Sequence, residues 1–233
     1  GAQAKCFTLS LTLPKLDESW LQAFSDSLRE ASEFFNVSLI GGDTTKGPLN
    51  ITITIMGTVK KSKAIKRSGA KNGDDIYVSG DLGRAALCLK KINEGSQPST
   101  TELNKLNKPV PRLSLGSALK NIASSCIDIS DGLEQDLSHI LSASKVGAII
   151  DSNNLPLSDT VKEYIKSTQD WGLPLCGGDD YELCFTSDKS NQSEIKKLSE
   201  NLKVRITKIG VINNSLNLNI KGYDGLSKSF KHF

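Results

Sequence analysis

Cys126-Ile127-Asp128-Ile129-Ser130-Asp131-Gly132-Leu133 is the stretch on which the reading of this chain turns. Cys126 to Ile129 reads as a buried strand. Behind it, Leu133, Leu137, Ile140 and Leu141 recur at helical spacing. Gly132 stands between the two, where the missing Cβ permits a left-handed turn. In a strand, Asp128 and Ser130 point to one face. Asp131 falls near the helix start, where unpaired backbone N–H groups favour anions. Two carboxylates and a hydroxyl then crowd one small space and repel each other unless a cation joins them. Oxygen ligands of this kind suit Mg²⁺, which usually keeps bound waters or phosphate oxygens. Helix capping is the competing local reading, because Ser and Asp are common N-caps.

Two further acidic motifs sit beside β-rich segments. Val37 to Ile40 reads as a short apolar strand running into Gly41-Gly42-Asp43-Thr44-Thr45. Glycines there let a phosphate approach the backbone N–H groups closely. The GxxxxGK[ST] spacing of a Walker loop is absent, and a plain Gly-Asp turn stands as the alternative. Gly177-Gly178-Asp179-Asp180-Tyr181-Glu182-Leu183 leads directly into the apolar Leu183-Cys184-Phe185. Strand alternation places Asp180 and Glu182 on one face, with Tyr181 and Leu183 opposite. Carboxylates gathered at strand ends point to a site for hard cations and the phosphates they hold. Gly80-Asp81-Leu82-Gly83 lacks the full dinucleotide fingerprint and reads as tight strand-to-helix packing.

Outward from these motifs, strands and helices interleave. Phe7 to Leu13 alternates as a strand. Trp20, Leu21, Phe24, Leu28, Ala31, Phe34 and Phe35 predict an amphipathic helix with Asp17 as N-cap. Ile51 to Ile55 is a strict period-2 strand continuing to about Val59. Strands are expected at 75–79, 126–129, 147–150, 181–186, 204–211 and 216–220. Helices are expected after Gly83 and near 113–123, 133–141, 160–167 and 192–201. Glu94 to Thr101 reads as a polar surface loop. The pattern is α/β, with α+β mixed layers. A composition shift across Lys60 to Gly73 suggests two domains, residues 1–62 and 63–233.

Composition narrows the function. The chain has 233 residues, 37% hydrophobic and 24% charged, which is globular. A formal net charge of +3 is too slight to argue for nucleic acid. The basic run from Lys60 to Arg67 reads as a solvated surface, with a phosphate contact by Arg67 as the sharper reading. Five cysteines without a CxxC pair indicate neither a disulfide framework nor a zinc site. Two histidines leave little for a histidine relay. No apolar run approaches the ~20 residues of a membrane span, and no signal peptide is visible. A cytoplasmic setting is expected.

Four elements occur in the order and approximate spacing found in the thiamine-monophosphate kinase family. They are Gly41-Gly42-Asp43-Thr44-Thr45-Lys46-Gly47-Pro48-Leu49, Arg67-Ser68-Gly69-Ala70-Lys71-Asn72-Gly73-Asp74, Ile127 to Leu133, and Gly177 to Leu183. The chain resembles that family along nearly its whole length. The Asp-Ser-Asp-Gly element is shared across the wider aminoimidazole-ribonucleotide-synthetase-like superfamily. The resemblance implies a two-domain fold of that type with an incomplete first domain. It also implies transfer of the ATP γ-phosphoryl to thiamine monophosphate, yielding thiamine diphosphate, with Mg²⁺ assistance. Carried onto this sequence, Gly42, Asp43, Arg67 and Ser130 meet ATP, and Asp43, Asp128 and Asp131 bind Mg²⁺. Asp179 and Phe230 hold the thiamine substrate, and no side chain serves as nucleophile or base. A homodimer is implied, with neither nucleic acid nor membrane as partner.

Departures from the family pattern are also visible. Asp179 stands where Glu is usual. The Ser229-Phe230-Lys231-His232-Phe233 ending differs from the family's Gly-aromatic-Asp-His-Phe. About 80 further residues are expected before Gly1, because a fold of this kind needs two full-size domains. Two alternatives stay open: a sister synthetase acting on selenide or a ribonucleotide precursor, and a non-catalytic nucleotide-binding or dimerisation module.

Overall fold

The computed structural model describes residues 1–223, which divide into two compact units, 1–64 and 65 onward. The first unit contains β1 (Gln3–Leu13), α1 (Glu18–Phe35), β2 (Ser38–Lys46) and β3 (Asn50–Thr58). Its sheet runs β2-β1-β3, with β1 parallel to β2 and antiparallel to β3. Asp17 caps α1 as expected, its carboxylate accepting from the Trp20 backbone N–H at 3.1 Å. Asn36 closes the helix in the left-handed region at φ 52°. Phe7, Leu11 and Leu13 are buried, but Ile51, Ile53 and Ile55 of β3 remain 44–59% exposed. No residue of α1 is buried. The strict alternation of β3 therefore presents an apolar face that this unit does not cover.

One expectation in this unit needs correction. Gly41 to Thr45 is not a turn after the strand but part of β2, which runs on to Lys46. The parallel register with β1 slips between Phe7 and Thr8, which pair with Leu39 and Gly41, so Ile40 is bulged. Gly42 follows at φ 152°, and a Cβ there would lie 1.8 Å from the Leu9 carbonyl oxygen. Only glycine allows the strand to continue that close to its neighbour.

The second unit has β4 (Asp75–Ser79), α2 (Arg84–Asn93), α3 (Thr100–Asn107), α4 (Leu113–Ala118), β5 (Ala123–Ile129) and α5 (Leu133–Ser144). It continues with β6 (Gly147–Asp151), α6 (Asp159–Thr168), α7 (Gly172–Cys176), β7 (Glu182–Ser187), α8 (Gln192–Leu202), β8 (Ile206–Asn213) and β9 (Leu218–Lys221). These strands form one sheet in the order β5-β7-β4-β8-β6-β9. All its pairs are antiparallel except β6 with β9. Helices cover both faces, as strict alternation in the central strands requires. Ile76 and Val78 point into a core with Ile127, Ile129, Leu133, Leu137 and Ile140. Tyr77, between them, points the other way and stacks on Phe185 at 5.3 Å between ring centroids, with Leu115, Leu119 and Ile195.

Three helices depart from expectation. The segment read as a polar loop enters α3, and α7 is a single short turn of helix ahead of the Gly-Gly motif. The helix expected at 113–123 stops at Ala118, and β5 starts at Ala123.

The buried acids of the Gly-Gly-Asp-Asp-Tyr-Glu motif tie these elements together. Glu182 and Asp180 are each 1% exposed. Glu182 accepts from Ser79 Oγ (2.7 Å), Lys105 Nζ (2.8 Å) and Arg112 Nε and Nη2 (both 2.7 Å). It thereby joins β4, α3 and the segment entering α4 to the start of β7. Burial pushes its carboxyl up, but Arg112 and Lys105 outweigh that and hold it below the usual value. Asp180 accepts from the Gly83 backbone N–H with both oxygens, at 3.0 and 3.1 Å, at the N-terminus of α2. Burial dominates there and pushes the Asp180 carboxyl up to about 8. The close fit at Gly80 and Gly83 is the strand-to-helix packing that their motif suggested: Glu182 lies over Gly80 and Pro174 against Gly83.

Replacing Glu182 with Gln is expected to lower the unfolding free energy by about 3 kcal/mol, because removing one partner strands the opposing charges. A urea titration at neutral pH reads that loss, and an unchanged midpoint would show the cluster to be dispensable. Asp180 has the opposite signature. Its folded pKa is raised from 3.8 to about 8. The unfolded chain therefore releases this proton first, and stability falls as pH rises between those values. Asp180→Asn keeps an acceptor for Gly83 without a titrating proton, so its stability should fall less over that range. Parallel slopes for the two proteins would rule this out.

Candidate functional site

Pairing of β5 with β7 brings two of the three acidic motifs together. The strands are antiparallel, with Ile129 opposite Glu182. The exit of β5 therefore meets the entry of β7 at one edge of the unit. Two backbone bonds extend the pairing past the strands: Asp179 N–H donates to the Ser130 carbonyl at 2.9 Å, and Tyr181 N–H to the Ile129 carbonyl at 2.8 Å. Gly178 passes so near Ser130 that a Cβ would lie 2.5 Å from its carbonyl oxygen. Asp179 and Tyr181 both take left-handed conformations, φ 67° and 49°. Such residues cost about 1–2 kcal/mol apiece and persist where neighbouring contacts over-determine them.

The Asp128-to-Gly132 segment forms the strand–turn–helix read from the sequence, with Leu133 opening α5. A residue not foreseen holds it. Asp136, 2% exposed, accepts from the backbone N–H of both Ser130 and Asp131 at 3.0 Å through one carboxylate oxygen. Burial pushes its carboxyl up, the two N–H bonds pull it down, and the nearby Asp131 and Asp128 push it up again. With its backbone so anchored, the Asp131 side chain meets Gln135 Nε2 at 3.1 Å, and the Ser130 hydroxyl reaches it at 3.5 Å. Asp128 is exposed, while Ser130 and Asp131 are partly so.

Of the three carboxylates in the third motif, only Asp179 joins this group. Asp180 and Glu182 share a face, as alternation predicts, but that face is the interior. Asp179 accepts from the Tyr181 hydroxyl at 3.2 Å. Burial pushes the Tyr181 phenol up, and Asp179, then Asp128 and Asp131, push it further. Asp179 thus contacts this exposed tyrosine directly, and Asp128 and Asp131 act on it through their charge. Beside them opens a cleft of about 740 Å³. Ser130, Asp131, Gly177, Gly178 and Asp179 line one side, and the Ala86, Leu89 and Lys90 face of α2 lines the other. Sequence reading did not assign α2 to the site. Lys90 brings a cation to this wall, engaged with Glu94 at 2.6 Å.

The remaining expected site residues belong to other segments. Gly42 and Asp43 are in the first unit, where Asp43 Oδ1 accepts from the Thr44 backbone N–H at 2.8 Å. Arg67 is exposed, and its carbonyl accepts from Ser144 Oγ at 3.2 Å. Ser144 ends α5 whereas Asp131 precedes its start, and a helix of that length spans about 18 Å. The backbone of Arg67 is thus clipped to the far end of α5 from Asp131. Phe230 lies outside the described residues.

The donor set can be tested against Mg²⁺ directly. Among the described residues, no three His, Cys, Asp or Glu side chains converge tightly enough to hold a metal alone. A closed protein cage is not what Mg²⁺ requires, since it commonly takes one or two carboxylates plus waters and phosphate oxygens. Asp131 on the open cleft and the exposed Asp128, two residues before Ser130, are oxygen donors whose chemistry fits that partial role.

Known proteins of the same kind share both units. The AIR synthase related protein N-terminal domain family matches residues 1–59, and its C-terminal domain family matches residues 71–221. The thiamine-monophosphate kinase of Salmonella typhimurium is 44% identical over 215 residues, covering 90% of this chain and 66% of its own length. That of Buchnera aphidicola subsp. Schizaphis graminum is 42% identical over 246 residues, covering 100% of this chain and 75% of its own. The chain thus spans about two thirds to three quarters of the length of these relatives. Among solved structures, the thiamine-monophosphate kinase of Stenotrophomonas maltophilia K279a superposes with a TM-score of 0.90 at 36% identity, covering 96% of this chain and 74% of that one. AaThiL complexed with AMPPCP and TMP superposes with a TM-score of 0.86 at 28% identity, covering 100% of this chain and 75% of that one. An AIR synthase related C-terminal domain over most of the chain, and a 42% identical kinase of which the chain covers three quarters, establish that it belongs to the thiamine-monophosphate kinase family.

Proposed function

We propose that the protein transfers the γ-phosphoryl group of ATP to the phosphate of thiamine monophosphate, producing thiamine diphosphate. The observation that carries this reading is the meeting of Ser130, Asp131 and Asp179 on one cleft, with Asp128 alongside. These are the residues to which the family resemblance assigns metal, nucleotide and substrate. The relative complexed with AMPPCP and TMP, an ATP analogue and the phosphorylated acceptor, shares this fold across the whole chain.

The chemistry asks for what the site contains. Joining two phosphates brings several negative charges together, and positioning with charge screening supplies most of the rate. Asp128 and Asp131 would hold Mg²⁺, which when bound screens the phosphate charge and draws electron density from the group in transfer. Ser130 offers a hydroxyl to the nucleotide phosphates from a turn whose backbone Asp136 fixes. Asp179 faces the cleft, where its charge complements the cationic thiazolium of the acceptor. The acceptor oxygen is already ionised, so no side chain need remove a proton. The family resemblance also assigns Gly42, Asp43 and Arg67 to the nucleotide and Phe230 to the thiamine rings. In this reading the enzyme acts as a homodimer in the cytoplasm. Among the described residues, no helix is long and apolar enough to cross a membrane.

Steady-state assays of the full-length protein with ATP and thiamine monophosphate, against selenide and formylglycinamidine ribonucleotide, should show turnover of the thiamine ester alone. Asp128→Asn or Asp131→Asn should each lower kcat/KM at least about a hundredfold, since even partners of metal ligands cost ten- to a hundredfold. Near-normal rates in either variant, or preference for another acceptor, would refute the assignment.

A further inference from the structure

We propose that Tyr181 is a positioning residue for the substrate: its hydroxyl clamps one oxygen of Asp179 so that the other is presented to the cleft. The proposal rests on the reading of Asp179 as the carboxylate that meets thiamine monophosphate. Three observations carry it. First, Tyr181 is 39% exposed although it sits next to the buried entry of β7, so packing does not account for its ring. Second, the backbone there is held in an unfavourable shape. Asp179 and Tyr181 are both left-handed, and each N–H is spent on a carbonyl of the 129–130 segment. Strain of this kind in non-glycine residues is tolerated where geometry serves a site. With Asp180 turned inward between them, the two left-handed turns bring side chains 179 and 181 to the same side, where the hydroxyl reaches Asp179 Oδ1 at 3.2 Å.

Third, the surroundings decide the direction of that bond. Asp179, Asp128 and Asp131 all act on Tyr181, and ionised carboxylates only accept hydrogen bonds. The phenol must therefore donate. A donor placed among three negative charges can draw Asp179 toward itself and away from rotamers that would turn it to a cation held by Asp128 and Asp131.

The test uses the full-length protein as wild type, Tyr181→Phe, Asp179→Ala and the double variant. Equilibrium titration with thiamine monophosphate and steady-state kinetics are read together. Tyr181→Phe is expected to weaken thiamine monophosphate binding and raise its KM about five- to tenfold, as for loss of a hydrogen bond to a charged group. The KM for ATP and the melting temperature should stay unchanged. In the Asp179→Ala background the same change should add nothing, because the clamp then has no acceptor to hold. An unchanged KM for thiamine monophosphate, an equal rise for ATP, or additive losses in the double variant would each overturn the proposal. A wild-type protein that neither binds nor phosphorylates thiamine monophosphate would instead overturn the functional reading, and this inference with it.

Discussion

The antiparallel pairing of β5 with β7 is the constraint on which the candidate site depends. An antiparallel neighbour starts where its partner ends, so whatever follows β5 must lie beside whatever precedes β7. Here that places the Asp-Ser-Asp turn against the Gly-Gly-Asp-Asp turn, although about fifty residues separate them in the chain. The register leaves little freedom. A one-residue slip would turn Ile127 and Ile129 out of the core and bring Asp128 into it. The hydrophobic cost of such a slip fixes the acids outside as firmly as it fixes the isoleucines inside.

Much of this was legible from residues. The period-2 pattern through Ile76 and Val78, the helical spacing from Leu133 to Leu141 and the glycine at position 132 each dictate a local answer, and the fold agrees. The departures have physical reasons. Helix α3 has a thin apolar stripe in Thr-Thr-Glu-Leu-Asn-Lys-Leu-Asn, so periodicity alone misses it. Its capping box was readable, however: Ser99 and Glu102 stand three apart and exchange the reciprocal bonds that spacing allows. Gly41 to Thr45 resembles a turn because glycine and aspartate favour turns. In the sheet, the same glycines allow a bulged strand to pass close to Leu9.

The third acidic motif shows where sequence reading reaches its limit. Alternation correctly paired Asp180 with Glu182, but it cannot say which face of a strand is buried when both carry polar residues. The deciding partners, Lys105 and Arg112, lie some seventy residues upstream and have no local signature. The contacts made by Asp136 and Tyr181 were not legible for a related reason. Each works through a backbone group or side chain that only the tertiary turn brings within reach.

Two strategies for placing negative charge coexist within this small region. Glu182 is neutralised by cations, which hold its carboxyl below the usual value and lock four elements together. Such a group has no charge left for a ligand. Ser130, Asp131 and Asp179 are held instead through their main chains: the N–H of Ser130 and Asp131 by Asp136, the N–H of Asp179 by the Ser130 carbonyl. Backbone anchoring positions a side chain without consuming its charge. Carboxylates gathered this way repel one another, and Tyr181 and Asp136 both register that field as an upward push. The repulsion is relieved when a cation enters. A polyphosphate could not enter an uncompensated acidic edge by itself, but it can enter with its divalent ion. Under the proposed function, this architecture would couple nucleotide binding to the metal that accompanies it, because the fold supplies fixed negative charge and leaves its compensation to the ligand.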